Sequence, residues 1–215
     1  FTEAGGAPAS RIARWDGASW SAFGAGMDGR VTALAVYDGA LIAAGDFQSA
    51  GGQSARRVAR WTGSGWEPLG DGLNNAAYAL AVYDGELYVG GKFTNAGGQT
   101  STYLARWDGS AWSTVGGGVN SWVYTLAVYD GKLVAGGMFY QAGGADVGYI
   151  AAWDGAAWST LGSGVDQTVK VLRVDGADLL VAGFFTTAGG DDAAYLARWD
   201  GGAWTGVGGG TDQED

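Results

Sequence analysis

A 46-residue repeat governs this chain: Trp15, Trp61, Trp107, Trp153 and Trp199 are each separated by 46 residues, with no gap in register. A second set, Trp20, Trp66, Trp112, Trp158 and Trp204, follows five positions behind the first. Phe1, Phe47, Phe93, Phe139 and Phe185 keep the same step, as do the Ala-Gly-Gly triplets that begin at Ala4, Ala50, Ala96, Ala142 and Ala188. Repetition at this length means that one supersecondary unit recurs, and that each unit buries its apolar surface against its neighbours rather than within itself.

Within one unit the pattern is of strands. Val31 to Tyr37, Leu41 to Phe47, Arg57 to Trp61 and Trp66 to Leu69 are short apolar or aromatic runs separated by glycine-bearing turns, here called strands A, B, C and D. Strands A and B are joined through Asp38-Gly39, Asp84-Gly85 and Asp130-Gly131, and strands C and D through Asp16-Gly17 and its counterparts at Asp108, Asp154 and Asp200. Asp-Gly supplies the positive backbone dihedrals of a tight hairpin. The B-to-C and D-to-A connections are longer and vary between units, so they share one face and the tight turns the other.

Four strands in about 46 residues, apolar on both sides, predict a β-propeller blade. Pro68 falls in strand D, the outer edge, where a missing amide donor is tolerated. The 42 glycines and 2 prolines exclude collagen, which needs far more proline, and no long 3.6-period segment supports a helical solenoid. The reading is an all-β, five-sector β-propeller in one domain, made of a half blade (1–30) and repeats 31–76, 77–122, 123–168 and 169–215. Five complete blades would need 230 residues, fifteen more than the 215 present, and both ends of the chain contribute a C–D hairpin. The half blade therefore leaves strand C as an open edge. That edge predicts either self-association, as a symmetric homodimer, or completion by a further segment that supplies an A–B hairpin.

Charge and residue inventory narrow the chemistry. The chain has 22 acidic and 12 basic residues, a formal charge of −10, and neither histidine nor cysteine. Such a surface repels nucleic acid and anionic membrane, so neither is an expected partner. A thiol nucleophile, a Ser-His pair and an ordinary zinc or haem site are excluded by composition, and no cofactor or metal is implied. The longest apolar run, Ala76 to Tyr83, is far below the roughly 20 residues of a membrane helix. No signal peptide precedes Phe1, which is not a translation start, so the expectation is a processed, excised or partial chain.

The unit from Ala79 to Gly118 reads ALAVYDGELYVGGKFTNAGGQTSTYLARWDGSAWSTVGGG. It resembles the blades of propellers in fungal cortical cell-polarity marker proteins and large bacterial surface proteins, and more distantly kelch-type propellers. The likeness lies in the Gly-Gly-x-Phe and Ala-Arg-Trp-Asp-Gly segments. It implies an extracellular or cell-surface scaffold without a catalytic motif. The five-fold count is similar to that of tachylectin-type lectins, whose blade motif does not match.

Several recurring residues admit both a functional and a packing role. The Trp pairs flanking each C–D turn suit cross-strand packing better than sugar stacking. Arg14, Arg60, Arg106 and Arg198 precede the first Trp, with Ala152 breaking the series, and suit ion pairs with the turn aspartates. Asp28, Asn74, Asn120, Asp166 and Asp212 recur on the D-to-A loop, either closing local turns or presenting a ring of polar acceptors. Gly24 to Gly29 matches GxGxxG but joins strand to strand, so it is no phosphate loop. On the long-loop face Tyr103, Tyr149 and Tyr195 occupy equivalent positions, and Trp122 lies in a D-to-A loop, where binding residues usually reside.

The functional expectation is a non-enzymatic binding or interaction scaffold for carbohydrate or a protein surface, through that face. One alternative is a symmetric, engineered or reconstructed repeat protein with no ligand. The other is a carboxylate-based glycosidase in which acids such as Asp46, Glu86 and Asp178 converge.

Overall fold

A computed structural model describes residues 1–208, and everything below concerns those residues. The chain is strand and turn throughout, with no helix. Four units form four-stranded antiparallel sheets in the order A-B-C-D. In the first blade the strands are Val31–Tyr37, Ala40–Gly45, Val58–Trp61 and Trp66–Pro68. The second comprises Ala77–Tyr83, Glu86–Gly91, Leu104–Trp107 and Trp112–Thr114, and the third Val123–Tyr129, Lys132–Gly137, Ile150–Trp153 and Trp158–Thr160. The fourth comprises Val169–Asp175, Asp178–Gly183, Leu196–Trp199 and Trp204–Gly206. Ala13–Trp15 and Trp20–Ala22 pair as a lone C–D hairpin, the half blade. No sheet closes on itself among the described residues.

The turns follow from their residues. Asp38 and Gly39 both take positive φ (47° and 68°), the type I′ geometry that matches strand twist. At each C–D turn an aspartate side chain holds the loop: Asp108 Oδ1 accepts the amides of Ser110 and Ala111, both at 2.8 Å. Asp16, Asp154 and Asp200 do the same. In the first blade Thr62 takes this role, its hydroxyl accepting the Gly65 amide.

The expected four strands per unit need one correction. Each B-to-C connection carries its own two-residue-strand hairpin, such as Ser49–Ala50 with Gln53–Ser54, turned by Gly51 and Gly52 at φ 60° and 82°. The Ala-Gly-Gly triplets encode this hairpin, whose strands are too short to show an apolar alternation.

The core lies between blades. Phe47, Phe93, Phe139 and Phe185 are completely buried, and apolar clusters join the half blade to the first blade and each blade to the next. Strands A of the four blades run side by side in sequence order. Cross-blade hydrogen bonds tie them: the Thr32 hydroxyl donates to the Ala77 carbonyl at 2.7 Å, and the Leu172 amide donates to the Thr125 hydroxyl at 3.1 Å. In the four complete blades the first Trp of the pair seats on a glycine just after strand D of the preceding unit, Trp61 on Gly24, Trp107 on Gly70, Trp153 on Gly116 and Trp199 on Gly162. A Cβ there would crowd the indole, and all four glycines take positive φ, so glycine recurs in that column.

Candidate functional site

The two long connections meet at one end of the blades. Each D-to-A loop bridges to the B–C hairpin it enters beside, through Met27–Ala50, Leu73–Ala96, Val119–Ala142 and Val165–Ala188. The recurring Asx side chains secure this junction. Asp28 Oδ1 accepts the amides of Gln48 and Ser49, Asn74 those of Thr94 and Asn95, Asn120 those of Tyr140 and Gln141, and Asp166 those of Thr186 and Thr187. Burial raises the Asp28 and Asp166 carboxyls, but the amide donors outweigh it and both sit below the ordinary value. These four groups are staples across about twenty residues of chain rather than turns onto their own backbone. Asp212 lies outside the described residues.

Tyr103, Tyr149 and Tyr195 stand where the chain enters strand C, at φ between 64° and 67°. A tyrosine in the left-handed region costs roughly 1 kcal/mol, and the backbone here overrides it. The Tyr103 amide donates to Phe93 O at 2.9 Å and its carbonyl accepts the Gly91 amide at 3.0 Å. Arg11 and Arg57 hold the same conformation in the units without tyrosine. Tyr103 and Tyr149 pack against the inter-blade cores.

Trp122 belongs to a different group. Taken in the 46-residue register, the columns beginning at Arg30, Thr32 and Asp46 diverge from unit to unit: Arg30, Ala76, Trp122, Thr168; Thr32, Tyr78, Tyr124, Lys170; and Asp46, Lys92, Met138, Phe184. All three lie where strand A begins and strand B ends, at the long-loop mouth of the innermost strands. Tyr78 and Tyr124 stack with centroids 5.5 Å apart at 28°, and Trp122 meets Tyr124 edge-on at 6.2 Å. The Lys92 ammonium lies 4.7 Å from the Trp122 ring, and that of Lys170 lies 3.5 Å from the Tyr124 ring and 5.2 Å from Phe184. The Tyr124 hydroxyl donates to Met138 Sδ at 3.1 Å. Burial lowers the Lys170 pKa and raises that of Tyr124. Met138 and Phe184 remain substantially exposed at the rim.

Sequence reasoning singled out Trp122 alone from this cluster. The signal was present as variable columns within a regular repeat, and it emerges only when the units are aligned on their 46-residue step and read for differences.

The acids weighed for glycoside hydrolysis do not come together. Glu86 and Asp178 begin strands B at the tight-turn end, bonded to Arg106 and Arg198 at 3.0 Å. Asp46 follows strand B at the opposite end and pairs with Arg30 at 3.0 Å. A six-residue strand, about 20 Å, separates the two levels. Of the arginine column, only Arg60 pairs with a turn aspartate as expected, Asp38 at 3.4 Å; Arg106 and Arg198 pair instead with the acids that open strand B, and Arg14 forms no ion pair among the described residues. No group of three or more metal-ligating side chains gathers among the described residues.

Repeated four-stranded antiparallel sheets, packed through both faces with a divergent mouth at the innermost strands, define an all-β propeller-type repeat protein. A family model described as a domain of unknown function (DUF5122) beta-propeller matches residues 38–65 and 84–107, parts of the first two blades. No curated protein matches the chain. Among solved structures, the computationally designed Ika8 protein is similar over 83% of this chain and 61% of its own, with 16% identity and a TM-score of 0.45. The extracellular domain of the putative one component system BT4673 from B. thetaiotaomicron is similar over 83% of this chain and 28% of its own, with 12% identity and a TM-score of 0.38. The chain thus spans less than two thirds of either structure.

Proposed function

We propose that this protein is a non-enzymatic binding scaffold, a five-sector propeller whose ligand site is the aromatic and lysine cluster at the long-loop mouth, and that its ligand is an acidic saccharide. One observation carries the reading. Three of the columns that differ from unit to unit gather three aromatic rings and two ammonium groups in one place at the mouth. Ring faces supply an apolar platform for the C–H face of a pyranose, and ammonium groups supply the counter-charge for a carboxylate. The net charge of −10 disfavours a polyanion such as nucleic acid or an anionic membrane as the ligand. The resemblance of the blade to those of cortical marker and bacterial surface proteins supports an extracellular or cell-surface location.

Equilibrium titration with uronic-acid oligosaccharides and their neutral counterparts, read by tryptophan fluorescence, tests this. The acidic set should bind and the neutral set should bind at least about tenfold more weakly, with the preference lost in Lys170→Met and affinity lost in Trp122→Ala. Equal binding of both sets, or unaltered binding by both variants, overturns the site. Absence of binding to any saccharide favours a symmetric repeat protein that has no ligand. Turnover of chromogenic glycosides would support the glycosidase reading instead.

A further inference from the structure

Sulfur enters this chain only through Met27 and Met138, because cysteine is absent. Their surroundings are opposite. Met27 is 2% exposed within the core between the half blade and the first blade, whereas Met138 is 41% exposed at the long-loop mouth. Met138 belongs to the third blade, which is complete and lies between two other complete blades.

The fold holds this thioether in place. The Met138 amide donates to the Trp122 carbonyl at 2.9 Å, and the amides of Asp46, Lys92 and Phe184 make the corresponding bond to Arg30, Ala76 and Thr168 at 2.8 to 3.0 Å. The backbone therefore repeats here from blade to blade, and only the side chain is particular to the third. That side chain is tied to the aromatic cluster. The Tyr124 hydroxyl donates to Met138 Sδ at 3.1 Å, and the same Tyr124 ring stacks on Tyr78 and lies under the Lys170 ammonium.

A thioether is a weak hydrogen-bond acceptor, and oxidation turns it into a polar, chiral sulfoxide whose oxygen is a strong one. An exposed sulfur is open to hydrogen peroxide. A sulfur lone pair attacks one peroxide oxygen, the O–O bond breaks and an S–O bond forms. The expelled hydroxide takes the proton of the transferred oxygen and leaves as water, so sulfur gives up the electron pair that the peroxide gains. The acceptor facing Tyr124 then moves from the sulfur to the oxygen bonded to it.

We propose that Met138 is an oxidation site that controls the mouth: hydrogen peroxide converts it to the sulfoxide, the Tyr124 hydroxyl pairs with the new oxygen, and the ring beneath Lys170 moves with it. The sulfoxide also sets the negative end of a dipole beside that ring, so the oxidised mouth binds an acidic ligand more weakly. Methionine sulfoxide reductases, with a dithiol as reductant, return the thioether and release the oxygen as water, which makes the change reversible. The effect on ligand affinity rests on the acidic-saccharide reading above; the oxidation and the displacement of Tyr124 do not.

The test treats the full chain with dilute hydrogen peroxide, maps added oxygen by peptide mass, and follows isotope-labelled tyrosine rings by NMR, with Tyr124 assigned from Tyr124→Phe. Met138 should gain one oxygen while Met27 stays unmodified. The Tyr124 resonances should shift, those of Tyr37 and Tyr129 at the tight-turn end should not, and reductase treatment should restore the starting spectrum. Affinity for uronic-acid oligosaccharides should fall about fivefold, the size expected of one hydrogen bond remade at the site. In Met138→Leu, peroxide should change neither the Tyr124 resonances nor the affinity. Tyr124→Phe keeps the ring without its donor, and should be oxidised at Met138 yet lose less than about twofold in affinity on oxidation. Oxidation of Met27 as fast as Met138, or Tyr124 resonances that stay put in the sulfoxide form, overturns the proposal whether or not a saccharide binds. Unchanged affinity in an oxidised chain that binds uronic-acid oligosaccharides overturns control of the mouth, and an equal loss in Tyr124→Phe overturns the route through its hydroxyl. If the untreated chain binds no saccharide, the ligand reading has failed, and the oxidation site is decided by the mass map and the Tyr124 resonances alone.

Discussion

The C–D hairpins of the half blade and of the first blade are nearly the same local object. Trp15 faces Trp20, and Trp61 faces Trp66, with ring centroids 5.3 Å apart in both. Yet Trp20 is 48% exposed and Trp66 only 2%. The Trp66 indole N–H donates to the Phe23 carbonyl at 2.9 Å, and Phe23 packs on both indoles. In the second and fourth blades Trp112 and Trp204 donate likewise to Leu69 and Leu161. Phe1 is 65% exposed while its four counterparts are completely buried. The hairpin is thus a local product of its turn and strand residues, and burial is conferred by a neighbouring unit.

The largest test of this comparison is removal of the ring. Trp66→Ala should cost about 3–5 kcal/mol, and Trp20→Ala below about 1 kcal/mol, in urea unfolding of the isolated chain. Equal costs would show that the half blade is covered in solution and would break the contrast. A smaller effect is expected where the indole seats. A Cβ on Gly24 lies 2.9 Å from the Trp61 ring, whereas one on Gly208 meets nothing within 4 Å. Both glycines have positive φ, so alanine at either costs roughly 1 kcal/mol for the backbone, and Gly24→Ala should add about 1–2 kcal/mol of overpacking.

The turns should not distinguish the two regions at all. Asp16 and Asp108 are both held below the ordinary carboxylate value, chiefly by the amides of Ser19 and Ala111 and then by those of Ala18 and Ser110. A folded-state pKa below the unfolded one contributes stability that is present above about pH 4 and is lost as pH falls through the folded value. Carboxyl-carbon titration by NMR should therefore place both residues below the usual range and close to each other. A normal titration of Asp16 alone would show that its turn depends on the missing neighbour. The smallest effect concerns charge at the surface: Arg106→Met should cost no more than about 0.5 kcal/mol, because the pair with Glu86 is partly exposed, and Arg14→Met should leave the isolated chain unchanged.

Much of this architecture was legible in the residues. Strand A came out at Val31–Tyr37 as read, and Pro68 lies on the outer strand where its missing donor is harmless. The other strand limits moved by one or two residues, since glycine and phenylalanine at their ends do not mark where pairing stops. The Gly-Gly hairpins escaped notice because two-residue strands carry no period. At the mouth, Trp122 was readable as a loop aromatic, but its company of Tyr78, Tyr124, Lys92 and Lys170 was not. Those residues come from three different blades, and proximity across blades is set by how sheets stack.

By itself the sequence determined the unit: its period, its turns, its apolar faces and the count of hairpins. These depend on backbone preferences and on the alternation of side chains, which act over a few residues. Tertiary structure decided which copies of identical residues are buried, which arginines find an acid, and which variable columns gather into one mouth. A contact between blades is made by residues about 46 positions apart, and its existence rests on whether a neighbouring unit is there to make it.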